Sequence, residues 1–189
     1  MKIQLKPVEQ DFSACRQTGR CTRNDNRMLT PYHILPDDAK VWIYQANRSF
    51  TQDEVWEISD ILENFVDRWQ SHSRDVHGYG SLYYRRFVVL MADENKCDVS
   101  GCSIDSSVKL IRELEQAYDL NFFDRMKICY KITNDLVGSF PFTNLNEMLE
   151  NGKIKDDTII FNNLVSTKKE FETKWEIPLK HSPFAKFVV

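Results

Sequence analysis

Residues 86–108 read RFVVLMADENKCDVSGCSIDSSV. After Arg86, every position through Ala92 is apolar, with β-branched, aromatic and aliphatic side chains in unbroken succession. An apolar run this short, bounded by polar residues, predicts a strand covered on both faces and central in its sheet. The window SGCSIDSSV (100–108) follows, and Ile104, Val108, Ile111, Leu114 and Tyr118 then recur at helical spacing. That spacing predicts a helix over Ile104–Tyr118. The window places a thiol, four hydroxyls and a carboxylate where a strand feeds a helix start. Free backbone N–H groups and the helix dipole favour anions there and lower the pKa of a thiol.

Working outward, Lys40–Ala46 (KVWIYQA) has the β-forming pattern of a strand. Thr51 and Glu54 have the spacing of a capping box, and Val55, Ile58, Leu62, Phe65, Val66 and Trp69 continue it as a helix. Val76–Tyr84, with two glycines, reads as an irregular strand, and Met126–Ile132 (MKICYKI) as another. The order β-α-β-β-α-β predicts an α+β fold with a ferredoxin-like sheet over residues 40–132. A loop at Gly138–Pro141, a short helix (Asn144–Leu149), a strand (Asp157–Phe161) and a helix (Thr167–Trp175) read as a C-terminal α/β decoration over residues 133–189. Residues 28–189 are expected to form one domain. Residues 1–27 are polar and lack periodicity, and they are expected to be a flexible basic extension preceding Met28.

Strands 40–46 and 86–92 are expected to be parallel neighbours, so that their C-terminal ends share one edge. Ligands in α/β sheets favour such an edge. The expected binding site therefore joins Asn47 and Arg48 to Ser100, Ser103, Asp105 and Ser106, with Cys102 as the candidate nucleophile. Each residue also has a plainer reading. Serine and aspartate at a helix start are ordinary capping residues, and a free cysteine is commonly a small buried apolar residue. Asp105 would repel an anionic ligand. Trp42, Tyr44, Trp56 and Trp69 are expected in the core, Asp124 and Arg125 as an ion pair closing a turn, and His72 as a helix C-terminal partner.

The bulk numbers bound the function. The five cysteines are scattered without a zinc-binding spacing, which argues for reduced thiols and no structural metal. The longest apolar runs fall far short of a membrane span, and a cytoplasmic location is expected. Residues 1–27 carry six Lys/Arg against three acids, a local +3 within a total of −3, which leaves −6 for the remainder. A basic arm could touch nucleic acid, but no basic helix or basic-aromatic strand follows it, so nucleic acid is not an expected partner. A P-loop, a dinucleotide Gly-x-Gly-x-x-Gly, a His-Glu-x-x-His and a nucleophile elbow are all missing from the sequence. No cofactor is expected.

VWIYQANR (41–48), FVVLMADE (87–94), SGCSIDSSV (100–108), FFDR (122–125), FNNLV (161–165) and WEIPLKHS (175–182) together resemble a family of small cytosolic Bacteroidota proteins. The resemblance covers nearly all of residues 28–189. Some members are labelled ABC transporter ATPases, yet this chain has neither the Walker A lysine loop nor an ABC signature. The resemblance supplies no catalytic roles. Two functions follow as expectations: a module binding an unknown small molecule or protein at the edge around SGCSIDSSV, or a small thiol enzyme with Cys102 as nucleophile and Arg48 orienting an acidic substrate.

Overall fold

The computed structural model describes residues 30–71, 74–95 and 101–188. Its elements are β1 (Lys40–Gln45), α1 (Gln52–Asp67), β2 (Gln70–Ser71), β3 (Arg74–Asp75), β4 (Gly78–Tyr83), β5 (Phe87–Ala92), α2 (Gly101–Tyr118), β6 (Lys127–Lys131), β7 (Val137–Pro141), α3 (Leu145–Glu150), β8 (Ile159–Phe161), α4 (Lys168–Lys174) and β9 (Glu176–Pro178). The architecture is mixed α+β. One antiparallel sheet has the order β1-β5-β4 and a second the order β7-β6-β8-β9, with β2 and β3 forming a small ribbon.

β5 is central, and all six of its residues are buried. Val88, Leu90 and Ala92 face one apolar cluster with Val55, Ile58 and Leu62 of α1 and Ile111 and Leu114 of α2. Phe87, Val89 and Met91 face a second cluster with Phe161, Phe171 and Trp175. Alternating side chains thus enter two different cores, which is why the strand reads as uniformly apolar. A third cluster lies beyond the second sheet, where Ile128, Phe140 and Ile160 meet Leu145, Ile154 and Leu179. α1 starts where the sequence predicts: the Glu54 amide donates to Thr51 Oγ1 at 3.2 Å, and the Thr51 amide donates to Glu54 Oε2 at 2.7 Å.

Two topological expectations are corrected. β1 and β5 are neighbours but antiparallel, with Lys40 opposite Ala92 and Gln45 opposite Phe87. Connectivity requires this: α1 returns the chain so that β4 runs with β1, and the tight β4–β5 hairpin then reverses it. The order β1-β5-β4 is that of the first three strands of a ferredoxin-like unit, but the fourth strand is not in this sheet. β6 pairs with β7 and β8 instead. The hairpin partner Val137–Pro141, of which Gly138–Pro141 is expected as a loop, holds it there with a five-residue register.

The edge of β1 is covered at both ends. The Val41 amide donates to the Ser166 carbonyl at 3.0 Å, and the Asn47 amide to the Asn121 carbonyl at 2.9 Å. Between them the Gln45 side chain donates to the Lys127 carbonyl at 3.1 Å and accepts from Asn163 Nδ2 at 2.9 Å. Trp69 is buried as expected, whereas Trp56 is 54% exposed on the outer face of α1. Asp124 pairs with Lys127 at 3.7 Å rather than with Arg125. His72 lies outside the described residues.

Candidate functional site

The antiparallel strands separate the residues that the sequence appeared to join. Arg48 Nη2 donates to the carbonyl of Tyr118, the last residue of α2, at 2.7 Å. Cys102 sits in the first turn of the same helix, sixteen residues earlier, which at the α-helical rise is about 24 Å away. Asn47 is also at the far end, where its Oδ1 accepts from the Asn121 amide at 3.0 Å and its carbonyl accepts from Arg86 Nη2 at 2.9 Å. Asn47 and Arg48 therefore do not share a site with SGCSIDSSV. Arg48 also grips Glu54 through both of its terminal nitrogens, and this holds the Glu54 carboxyl down at about 2.

The neighbours of the window come from a different part of the chain. Tyr118 Oη donates to Glu57 Oε2 at 3.0 Å, which fixes the start of α1 beside the end of α2. The two helices are antiparallel, so the end of α1 and the β2 strand after it lie toward the start of α2, and β2 packs on α2. At the same end of the sheet Asp93 follows β5 directly. It is buried, its amide donates to the His77 carbonyl at 3.0 Å, and its Oδ1 accepts from the Asn95 amide at 3.0 Å. Asn95 Nδ2 reaches Asp38 Oδ2 at 3.2 Å, and Lys40 pairs with Glu94 at 3.6 Å. Carboxylates therefore dominate this end.

Within the window, Ser100 lies outside the described residues, as do the side chains of Cys102 and Ser103. Asp105 and Ser106 are exposed. Ser107 is buried and turns inward: its Oγ donates to the Ile104 carbonyl at 2.7 Å and lies 3.4 Å from Tyr44 Oη. This is back-bonding within the helix, a structural use of a serine. Burial pushes the Tyr44 phenol above its ordinary range, with the Ser107 contact acting the other way.

A second polar cluster had no signal in the sequence, because its members are far apart in the chain. The Tyr84 hydroxyl donates to Glu176 Oε1, Lys131 Nζ donates to Glu176 Oε2 at 2.7 Å, and Lys131 Nζ also reaches Tyr84 Oη at 3.1 Å. Tyr84 lies in the β4–β5 hairpin, Lys131 ends β6 and Glu176 begins β9, so the cluster ties the two sheets together. Burial and the Glu176 carboxylate push the Tyr84 phenol well above its ordinary range. A phenol so hard to ionise is a poor acid and is not present as the phenolate that a base would require, and the ammonium and carboxylate already satisfy one another. The cluster works as a clamp. Arg86 has a similar role: it is buried and donates to the Ala46 and Asn47 carbonyls and to Ser139 Oγ of β7.

Among the described residues no group of three His, Cys, Asp or Glu side chains could hold a metal ion, and no helix is long and apolar enough to cross a membrane. Every buried side-chain nitrogen or oxygen among them has a hydrogen-bond partner. No protein-family model, no curated protein and no solved structure matches the chain.

Proposed function

We propose that the chain is a binding module whose ligand is held at the start of α2. The site comprises Ser103, Asp105 and Ser106, together with Asp93 and His77 in place of Asn47 and Arg48. The observation that carries this reading is buried Asp93, at the end of the central strand and at the same end of the fold as the first turn of an eighteen-residue helix. The surrounding carboxylates Asp38, Glu94 and Asp105 favour a ligand that offers hydrogen-bond donors or positive charge over a simple anion. Amide chemical shifts under titration with spermidine, arginine and inorganic phosphate test this. Shifts confined to residues 77, 93–95 and 101–106 with spermidine or arginine support it. Shifts elsewhere, none with any probe, or a response to phosphate alone would count against it.

Thiol chemistry at Cys102 is the second reading, favoured by the residue's place in the first turn of α2, where the dipole stabilises a thiolate. Arg48 is too distant to orient a substrate for it. His77 lies toward this end of the sheet and is the described histidine to test as its base.

A further inference from the structure

We propose that the basic arm, residues 1–27, docks on the outer face of α1, with its arginines set among Asp53, Glu57 and Asp60 and against the ring of Trp56. The proposal is independent of the ligand reading above. α1 carries Asp53, Glu54, Glu57, Asp60, Glu63 and Asp67 and not one lysine, arginine or histidine. Arg48 takes Glu54. Asp53, Glu57 and Asp60 are exposed, and among the described residues none of the three has an ion-pair partner; Glu57 has only the Tyr118 hydroxyl. They stand four and three residues apart, so they share one face of the helix and repel one another. Asp67, in the last turn, also opposes the helix dipole. Trp56 lies on the same face, between Asp53 and Asp60, and is 54% exposed, although tryptophan is highly buried on average. An open indole ringed by unpaired carboxylates suits a guanidinium, which can lie on the ring while the acids bond its edge.

Charge and reach choose the occupant. Between Asp11 and Asp25 the arm carries Arg16, Arg20 and Arg23 and no acid. The arm has no apolar repeat, yet these arginines stand four and three residues apart, the intervals that separate Asp53, Glu57 and Asp60. The acids at the start of α2 are less available, since Glu94 pairs with Lys40 and Asp38 accepts from Asn95. The described residues begin at Thr30, and the Tyr32 ring meets the ring of Tyr79 in β4 edge-on at 5.3 Å. Gly80, next to Tyr79, lies closely under Val66 of α1. β4 is the last strand of its sheet, so one strand separates the start of the described chain from α1. From Val66 back to Trp56 is about 15 Å of helix, and the helix is about 10–12 Å across. The residues from Arg16 to Thr30 extend to roughly 46 Å, more than that route needs. A docked arm shields Trp56 and closes the acidic face to other cationic partners.

Nuclear magnetic resonance of the full chain tests the docking. Arg16→Glu, Arg20→Glu and Arg23→Glu together should move the Trp56 indole signal, identified by its loss in Trp56→Phe, and the amides of 53–60. The indole signals of Trp42, Trp69 and Trp175 should stay. Asp53→Lys with Asp60→Lys should in turn move the amides of 12–24. In wild type, raising salt from about 20 to about 500 mM should move both groups of signals, because it screens exposed charges. Either set of substitutions should abolish that salt response, and the two sets combined should restore it, since opposite charges then face one another again. Wild-type signals should be the same at about 20 and about 500 µM protein, because the tether holds the arm at an effective concentration near millimolar. Four results would overturn the proposal: a Trp56 signal unmoved by reversal of the arm; movement at 93–95 and 101–106 in place of α1, which puts the arm at the other acidic end; signals that change with protein concentration, which makes another copy the arm's host; or a combined variant without the salt response.

Discussion

Arg48 grips Glu54 bidentately, Nη1 to Oε2 at 2.8 Å and Nη2 to Oε1 at 2.7 Å, while the same Nη2 caps the Tyr118 carbonyl at the end of α2. One side chain thus fastens the start of α1 to the end of α2. The guanidinium is the main reason the Glu54 carboxyl falls from 4.5 to about 2, with the Thr51 amide helping. A folded-state pKa lowered in this way stabilises the fold above the ordinary carboxylate range, and the benefit is lost as pH falls toward 2. Arg48→Met should therefore cost about 1–2 kcal/mol at pH 7 once solvent screening is allowed for. The cost should shrink as pH falls through that window, as read by urea titration at several pH values. Glu54→Gln should cost a similar amount, and the double variant less than the sum.

The Glu176 clamp yields a larger effect. The carboxylate side chain is 4% exposed and has Lys131 and Tyr84 as partners. Glu176→Gln leaves the Lys131 ammonium half-buried without its counter-charge. The expected loss is about 2–4 kcal/mol in urea unfolding, just under the range for breaking a fully buried pair. Replacing both partners, as Glu176→Leu with Lys131→Met, should recover part of that loss. The clamp also bears on local strain: Tyr84 and Arg85 are both left-handed, with φ of 52° and 49°, in a turn where asparagine and glycine are the usual choice. The Tyr84 ring is held there by Phe87, Phe161 and Trp175, and the Arg85 guanidinium by the Phe50 carbonyl.

Cysteine reactivity separates the two functional readings. Cys129 is fully buried, and burial pushes its thiol up to about 12 even though Arg86 and Lys127 draw it down. Iodoacetamide at pH 8.5 should leave Cys129 unmodified in the folded protein and label it only after unfolding, as mass spectrometry of the digests would show. If Cys102 labels with an apparent pKa well below the free-thiol value of about 8.5, the thiol reading gains; a value at or above it leaves the binding reading alone.

Local signals were legible in the sequence and long-range ones were not. The Thr51–Glu54 box, the helical spacing of Val55 to Val66 and the uniform apolarity of β5 each depend on residues a few positions apart, and each has its expected structure. Strand direction and sheet membership depend on pairing between distant segments, which periodicity does not encode. β6 has the same composition whether it joins β1 or β7, and that single choice decides whether there is one sheet or two. The candidate site inherited the error, because reversing β5 moves the start of α2 to the opposite end from Arg48. β9, only Glu176–Pro178, is too short to carry an alternating pattern, so the Glu176 clamp had nothing to announce it.

Gly78 and Gly80 give the last prediction, and it concerns how closely α1 lies on the first sheet. A Cβ added at Gly78 would sit 2.9 Å from Trp69 Cε3, and one at Gly80 would sit 3.0 Å from Val66 Cγ2 and 3.1 Å from Leu90 Cδ2. Trp69 and Val66 are both buried at the C-terminal end of α1, so neither can yield without moving the helix or its neighbours. The glycines are there for close approach rather than for a special backbone angle. Overpacking of this kind costs roughly 1–3 kcal/mol per site. Gly78→Ala and Gly80→Ala should each lower stability within that range, and Gly80→Val by more, because its branches reach both Val66 and Leu90. Since the end of α1 lies toward the start of α2, amide exchange in residues 104–110 should quicken in the Gly78 and Gly80 variants while exchange in β6 and β7 stays as in wild type. Equal quickening throughout would mean the strain is shared by the whole fold, not held where α1 meets β4.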